Sequence, residues 1–74
     1  MSKRKRRFPY RKLEDLESDI AQNEATVRDL ERALADGDLY RDAERVRETM
    51  KAFEDTKLRL NQLYEHWDEA AELN

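Results

Sequence analysis

Apolar side chains recur along most of the chain at alternating spacings of three and four residues, which is the a/d pattern of a coiled coil. The pattern forms two series on either side of Gly37, and each series has one polar interruption, Asn23 in the first and Lys57 in the second. It predicts two long amphipathic helices. The seam positions are Leu13, Leu16, Ile20, Asn23, Val27, Leu30 and Leu34, followed by Ala43, Val46, Met50, Phe53, Lys57, Leu60, Tyr64, Trp67 and Ala71.

The break between the two series predicts that the chain reverses its direction. Gly37 is the only glycine and is expected to end the first helix in the left-handed conformation, while Asp38 or Asp42 caps the second helix. We therefore predict an all-α fold, a two-helix antiparallel intramolecular coiled-coil hairpin with a disordered basic N-terminal segment. The expected boundaries are a linker over residues 1–8 and a hairpin over residues 9–74, with helices over about 9–36 and 42–72 and a turn over 37–41.

The two seams align without a gap when positions whose numbers sum to 80 are paired. This register places Asn23 opposite Lys57 and Leu16 opposite Tyr64. A matched polar layer penalises slipped registers, because any slip would bury one of the polar residues against an apolar side chain. The same seams could instead join two chains in a parallel dimer, but the central break and the matched layer favour a monomeric hairpin.

Composition indicates one small domain with little interior. Charged residues make up 45% of the 74 residues, and the absence of cysteine excludes disulfide frameworks, thiolate zinc sites and cysteine nucleophiles. No apolar run approaches the roughly 20 residues that span a bilayer, and the basic start is not followed by the apolar core of a signal peptide. We expect a soluble, cytoplasmic protein that does not contact membranes.

The polar residues do not form a recognisable catalytic or cofactor site. His66 is the only histidine and has no second ligand at a metal-binding spacing, and no glycine-rich loop is present to hold phosphates. The carboxylates lie on charged helix faces without an apolar pocket that would raise their pKa values. We therefore predict no enzymatic activity, no cofactor and no metal for this domain, and we interpret Phe53, Tyr64 and Trp67 as core residues.

Positive charge is concentrated at the front of the chain. Residues 1–12 hold seven Lys or Arg side chains and no acidic one, whereas residues 13–74 hold 8 basic and 18 acidic side chains. Such a cluster donates to phosphate oxygens without reading sequence, which favours contact with a DNA or RNA backbone. The alternatives are a solvated linker, or a tail that folds onto the acidic base formed by residues 13–23 and 60–74. The predicted nucleic-acid-binding residues are Lys3, Arg4, Lys5, Arg6, Arg7, Arg11 and Lys12, with a weaker patch near the tip at Arg28, Arg47 and Lys51.

Three stretches carry a resemblance to a known family: RRFPYRKLEDLE at the first helix, LADGDLYRDAERV at the turn and YEHWDEAAEL at the end. Over residues 3–74 the chain resembles the C-terminal coiled-coil domain of Uup-type ABC-F ATPases. The resemblance implies a larger cytoplasmic parent protein, whose two upstream cassettes bind ATP and magnesium and carry the ATPase activity. It also implies DNA binding by the hairpin, with rRNA or tRNA as the alternative nucleic acids.

Two other functions fit the same residues. In the first, the hairpin is a spacer or protein-docking arm that positions the cassettes on a ribosome, and the basic run is only a linker. In the second, it is the tRNA-gripping C-terminal arm of a valyl-tRNA synthetase, which has similar heptads but a less similar turn and ending. Binding to duplex DNA, single-stranded DNA and tRNA at two salt concentrations separates these functions, because phosphate contacts depend on salt.

Overall fold

The computed structural model describes residues 5–74, which form a helical hairpin. Helix α1 spans Leu13–Ala35, a short 3-10 helix spans Gly37–Arg41, and helix α2 spans Ala43–Leu73. The two long helices pack side by side in a rod of 59 × 18 × 14 Å, so the prediction of an all-α hairpin is confirmed. Within this part of the chain, neither long helix carries an apolar stretch sufficient to cross a bilayer.

The start of α1 lies at Leu13, later than the expected start at residue 9. Lys12, just before it, is extended, with φ −67° and ψ 142°. The Pro9 carbonyl accepts a hydrogen bond from the His66 ring of α2 at 2.8 Å, which ties the preceding stretch to α2. Residues 9–12 therefore follow α2 in a non-helical path and do not form the first turn of α1.

The turn between the helices is built on two aspartate caps. The Asp36 side chain accepts a backbone N–H of the 3-10 helix at 3.0 Å. The Asp42 carboxylate accepts the N–H groups of Glu44 and Arg45 at 3.1 and 3.3 Å and so caps α2, one of the two caps anticipated. Leu39, only 4% exposed, closes the tip from inside.

Gly37 does not adopt the left-handed conformation that was expected of it, because no glycine among the described residues has a positive φ. The first helix ends at Ala35, and the residue that follows it, Asp36, is extended. A Cβ added at Gly37 would meet no atom within 4 Å. We therefore expect Gly37→Ala to raise the free energy of unfolding by about 0.4–1 kcal/mol, since alanine restricts the unfolded chain. Urea denaturation measures the difference, and a less stable variant would contradict this backbone conformation.

The buried core is concentrated at the base of the hairpin, where α1 begins and α2 ends. Leu16, Leu63 and Ala70 are at most 1% exposed, and Ile20 and Trp67 pack against them from the edges. Each fully buried leucine contributes about 1.5–3 kcal/mol through removal of its apolar surface from water. The base is therefore the most firmly held part of the rod, and it is also where the basic stretch of the chain arrives.

At every second seam position of helix α2, the residue that faces α1 is not the predicted one. Tyr64 and Lys57 are exposed, whereas Leu63 is buried and Thr56 is half-buried. The Thr56 hydroxyl donates to the Ala52 carbonyl of its own helix at 2.7 Å, so its partial burial leaves no hydrogen bond unmade. Burial of the Lys57 ammonium would cost several kcal/mol without a well-placed partner.

The predicted polar layer between Asn23 and Lys57 is wrong. Lys57 lies on the surface with its Nζ 5.1 Å from the centroid of the Phe53 ring. The side-chain amide of Asn23 donates to the Asp19 carbonyl at 2.8 Å within α1. Each polar group is thus satisfied inside its own helix, and the alignment of the two helices rests on the apolar side chains of the base.

The hydrogen bonds between the two helices do not follow the predicted register, in which the numbers of paired positions sum to 80. The Trp67 indole N–H donates to Glu17 at 3.2 Å, and the Tyr64 hydroxyl donates to Glu24 at 2.6 Å. The predicted register placed Tyr64 nearer to the start of α1. This difference accompanies the change in the buried positions of α2, because burial of Leu63 in the core moves Tyr64 to the flank of the hairpin.

Candidate nucleic-acid interface

The basic stretch before α1 is held against α2 by a buried carboxylate. Glu69 is only 2% exposed, although carboxylates are seldom fully buried. Its two oxygens accept consecutive backbone N–H groups, from Arg7 at 2.7 Å and from Phe8 at 3.0 Å. Charge-assisted hydrogen bonds of this kind are the stronger ones in proteins. We call residues 5–12 the anchored segment.

Further contacts hold the anchored segment along α2. The Phe8 ring stacks on the His66 ring with centroids 4.7 Å apart and an angle of 16° between the planes. Since a carbonyl oxygen can only accept, His66 Nε2 is the donor in its bond to Pro9. At the end of α2, the Asn74 side chain donates to the Arg11 carbonyl at 3.0 Å. The chain thus crosses the base of the hairpin along a fixed path.

The disordered linker predicted over residues 1–8 lies partly outside the described residues, but these contacts show an ordered path for Arg7 and Phe8. Arg7 and Phe8 are bound to α2 through their backbones, so the alternative in which the basic run folds onto the acidic base describes this part of the molecule. Two of the predicted binding residues, Lys3 and Arg4, lie outside the described residues. Tyr10 remains 62% exposed.

Carboxylates of the hairpin compensate part of the charge of the anchored segment. Arg11 forms an ion pair with Asp19 at 2.8 Å in which both side chains are one-third exposed, at 33% each. Arg7 forms a longer pair with Glu65 at 3.3 Å in which both side chains are mostly exposed. The ion pair of Arg11 is therefore the stronger of the two. Arg7 can exchange its exposed pair with Glu65 for an external phosphate at a small cost in free energy.

Three other cations of the anchored segment face solvent without a carboxylate partner among the described residues. The Arg6 guanidinium donates to the neutral Asn74 side chain at 2.9 Å and lies 5.5 Å from the centroid of the Tyr10 ring. Lys5 and Lys12 are exposed and form no ion pair within residues 5–74. Together with Arg7, these side chains present donors for phosphate oxygens on one short stretch of chain.

The second patch of predicted binding residues, near the tip, is neutralised within its own helix. Arg47 pairs with Glu44 at 2.6 Å, and Lys51 pairs with Asp55 at 2.7 Å. The hydrogen bond to Asp55 raises the pKa of Lys51 above its ordinary value of 10.5. Of these three residues, only Arg28, on α1, forms no ion pair with another described residue. The tip therefore carries less uncompensated positive charge than the anchored segment.

Sequence reasoning missed the three residues that position the anchored segment: Glu69, His66 and Asn74. None of them was predicted to contact the basic stretch, because a backbone amide or carbonyl partner from a distant part of the chain leaves no periodic signal. The one available sign was the excess of acidic residues at the base of the hairpin. That excess suggested an attraction for the basic stretch without indicating which carboxylate would hold it.

Comparison with known proteins returned a single kind of match. The model of the family described as ABC transporter C-terminal domain matches residues 6–72, nearly all of the chain. No curated protein and no solved structure shows significant similarity to it.

Proposed function

The chain belongs to the ABC transporter C-terminal domain family, and from this membership we propose that it is a nucleic-acid-binding module of an ABC-family protein. It contacts the phosphates of DNA through the anchored segment, without reading sequence and without catalysis of its own. ATP and magnesium would belong to cassettes of a Uup-type ABC-F parent in the cytoplasm. This part of the proposal rests on the sequence resemblance alone.

The observation that carries the proposal is the placement of Lys5, Arg6, Arg7 and Lys12. The backbone of the anchored segment is fixed by Glu69, while these four cations remain exposed. A fixed backbone has already lost conformational entropy that a free tail would lose on binding, so less of the interaction energy is spent on ordering. Donors held in this way favour phosphate contact over a role as a linker.

The electrostatics of the rest of the rod limit the contact to this end. Residues 13–74 carry an excess of acidic side chains, which repel a polyanion. A nucleic acid would therefore touch the rod at the anchored segment and extend away from α2. Ribosomal RNA or tRNA supplies the same phosphate chemistry as DNA, and phosphate contacts alone do not distinguish these polymers.

The test compares two charge-matched triple variants in fluorescence anisotropy titrations with a short random-sequence DNA duplex over a range of salt concentrations. In the first variant Lys5, Arg6 and Arg7 become Gln, which leaves the backbone N–H groups for Glu69 in place. The expected result is weaker binding and a log–log salt slope reduced by roughly 0.9 for each phosphate that the variant no longer neutralises.

The matched control changes Arg28, Arg47 and Lys51 to Gln, the same loss of charge at the other end of the rod. Its affinity and slope should stay near those of the parent chain, because these cations lie within residues 13–74, whose excess of acidic side chains repels a polyanion. Equal effects in the two variants would overturn the assignment to the anchored segment. Absence of binding at low salt would favour the spacer role, and selective binding of tRNA over the duplex would replace DNA as the target.

A further inference from the structure

The hairpin has a groove between its helices, on the flank of α2 that the anchored segment leaves uncovered. It is lined by Ile20 and Ala21 of α1 and by Tyr64 and Trp67 of α2. The groove has a volume of about 460 Å³ and opens to solvent along one side. We call it the open groove.

Three carboxylates line the open groove: Glu17, Glu24 and Asp68. None of them forms an ion pair with another described residue, and no Lys or Arg lies in its lining. The groove therefore combines two aliphatic side chains and two aromatic rings with negative charge that the described chain leaves uncompensated.

Neutral donors hold two of these carboxylates in place. Trp67 Nε1 donates to Glu17 at 3.2 Å, and the Tyr64 hydroxyl donates to Glu24 at 2.6 Å. These bonds fix the positions of the carboxylates without cancelling their charge. The bond to Glu24 also raises the pKa of Tyr64 above its ordinary value of 10.0.

The other flank of the hairpin shows what kind of occupant such a surface takes. There the anchored segment, a non-helical basic stretch, lies along α2 and is bound to it through the backbone of Arg7 and Phe8. Its guanidinium groups pair with Asp19 and Glu65, and one ring stacks on a ring of α2. Both flanks thus offer carboxylates beside aromatic rings, and residues 5–74 cover only one of them.

We propose that the open groove binds an extended basic peptide segment of a partner protein, with one Arg or Lys side chain seated between the carboxylates. A guanidinium there would lie against the faces of Trp67 and Tyr64 while it pairs with Glu17 and Asp68, which combines cation–π attraction with charge-assisted hydrogen bonds. Nucleic acid is excluded from this surface, because three carboxylates repel phosphate. The inference is therefore independent of the proposed function of the anchored segment.

The test uses the emission of Trp67, the only tryptophan of the chain, during titration with an acetylated and amidated hexa-arginine peptide. We expect a saturable change in emission. The double variant Glu17→Gln and Asp68→Asn should weaken the affinity by about tenfold. Gln at position 17 still accepts from the indole, so the groove keeps its shape. The control Glu31→Gln and Glu48→Gln removes the same charge from exposed positions outside the groove and should change the affinity less than about twofold.

Three outcomes would overturn the proposal: equal weakening in both double variants, no saturable change in Trp67 emission, or peptide-induced NMR shifts that avoid the groove. Self-association of the chain that the groove variant abolishes would assign the surface to a second copy and overturn it too. The groove variant should bind duplex DNA as the parent chain does, so failure of this inference is distinguishable from failure of the proposed function.

Discussion

Replacement of Glu69 by alanine is expected to lower the free energy of unfolding by about 2–4 kcal/mol and to detach the anchored segment from α2. The carboxylate is the acceptor for the N–H groups of Arg7 and Phe8, and it lies in a buried site. Without it, these two amides lose their acceptor on α2, and the anchored segment loses both backbone hydrogen bonds that Glu69 accepts. Urea denaturation measures the decrease in stability, and amide hydrogen exchange at Arg7 and Phe8 measures the detachment.

Glu65→Ala is the matched control for this variant. Glu65 lies on the same helix and pairs with the Arg7 side chain, but both side chains are mostly exposed. Its removal should cost less than about 1 kcal/mol and leave the amides of Arg7 and Phe8 protected. Similar destabilisation in the two variants, or unchanged amide protection in Glu69→Ala, would mean that the buried carboxylate does not hold the segment.

Truncation of Leu63 to alanine is expected to cost about 2–5 kcal/mol, because it leaves a cavity in the centre of the base. Leu63 is 1% exposed and packs with Leu16 and Ala70. A small domain has a stability of only about 5–15 kcal/mol, so a decrease of this size is a large fraction of the total. Chemical denaturation of the variant and the parent chain gives the difference directly.

The control for Leu63→Ala is the same substitution at Leu58 of the same helix. Leu58 is 63% exposed, so its truncation should change the free energy of unfolding by no more than about 0.5 kcal/mol. The difference between the two losses in free energy of unfolding distinguishes the buried face of α2 from its exposed face. If Leu58→Ala proved as costly as Leu63→Ala, the assignment of the buried face would be wrong.

The helices and their reversal were predictable because they depend on local signals. Apolar spacing determines where a helix has a buried face, and an aspartate before a helix signals a cap, as Asp42 does here. The stripe that α2 buries was not predictable from the same spacing, because adjacent positions compete. Leu63 competes with Tyr64, and Thr56 competes with Lys57.

Hydrogen bonding and solvation decide which of the competing residues is buried, and the apolarity of the side chains alone does not reveal the outcome. Thr56 satisfies its hydroxyl on the carbonyl of Ala52, so a polar side chain can lie partly buried at low cost. Lys57 keeps its ammonium in water and rests it near the Phe53 ring. A pattern that counts a threonine as polar and a tyrosine as apolar chooses the wrong stripe, and the register follows the same error.

The candidate site was predicted in composition but not in geometry. The basic run was predicted to contact phosphates, and its folding onto the acidic base was the alternative. Which of the two prevails depends on individual bonds between residues more than fifty positions apart, such as that from Arg7 to Glu69. In the folded molecule the backbone of Arg7 and Phe8 is bound to the base, while Lys5 and Lys12 remain exposed.

The central claim is that the anchored segment is fixed on α2 and is not a free tail. A NOESY spectrum of the unmodified 74-residue chain tests it most directly. The structure predicts cross-peaks between the ring protons of Phe8 and His66, together with slow exchange of the Arg7 and Phe8 amides. Absence of those cross-peaks, with both amides exchanging at the rate of an unstructured peptide, would contradict the account.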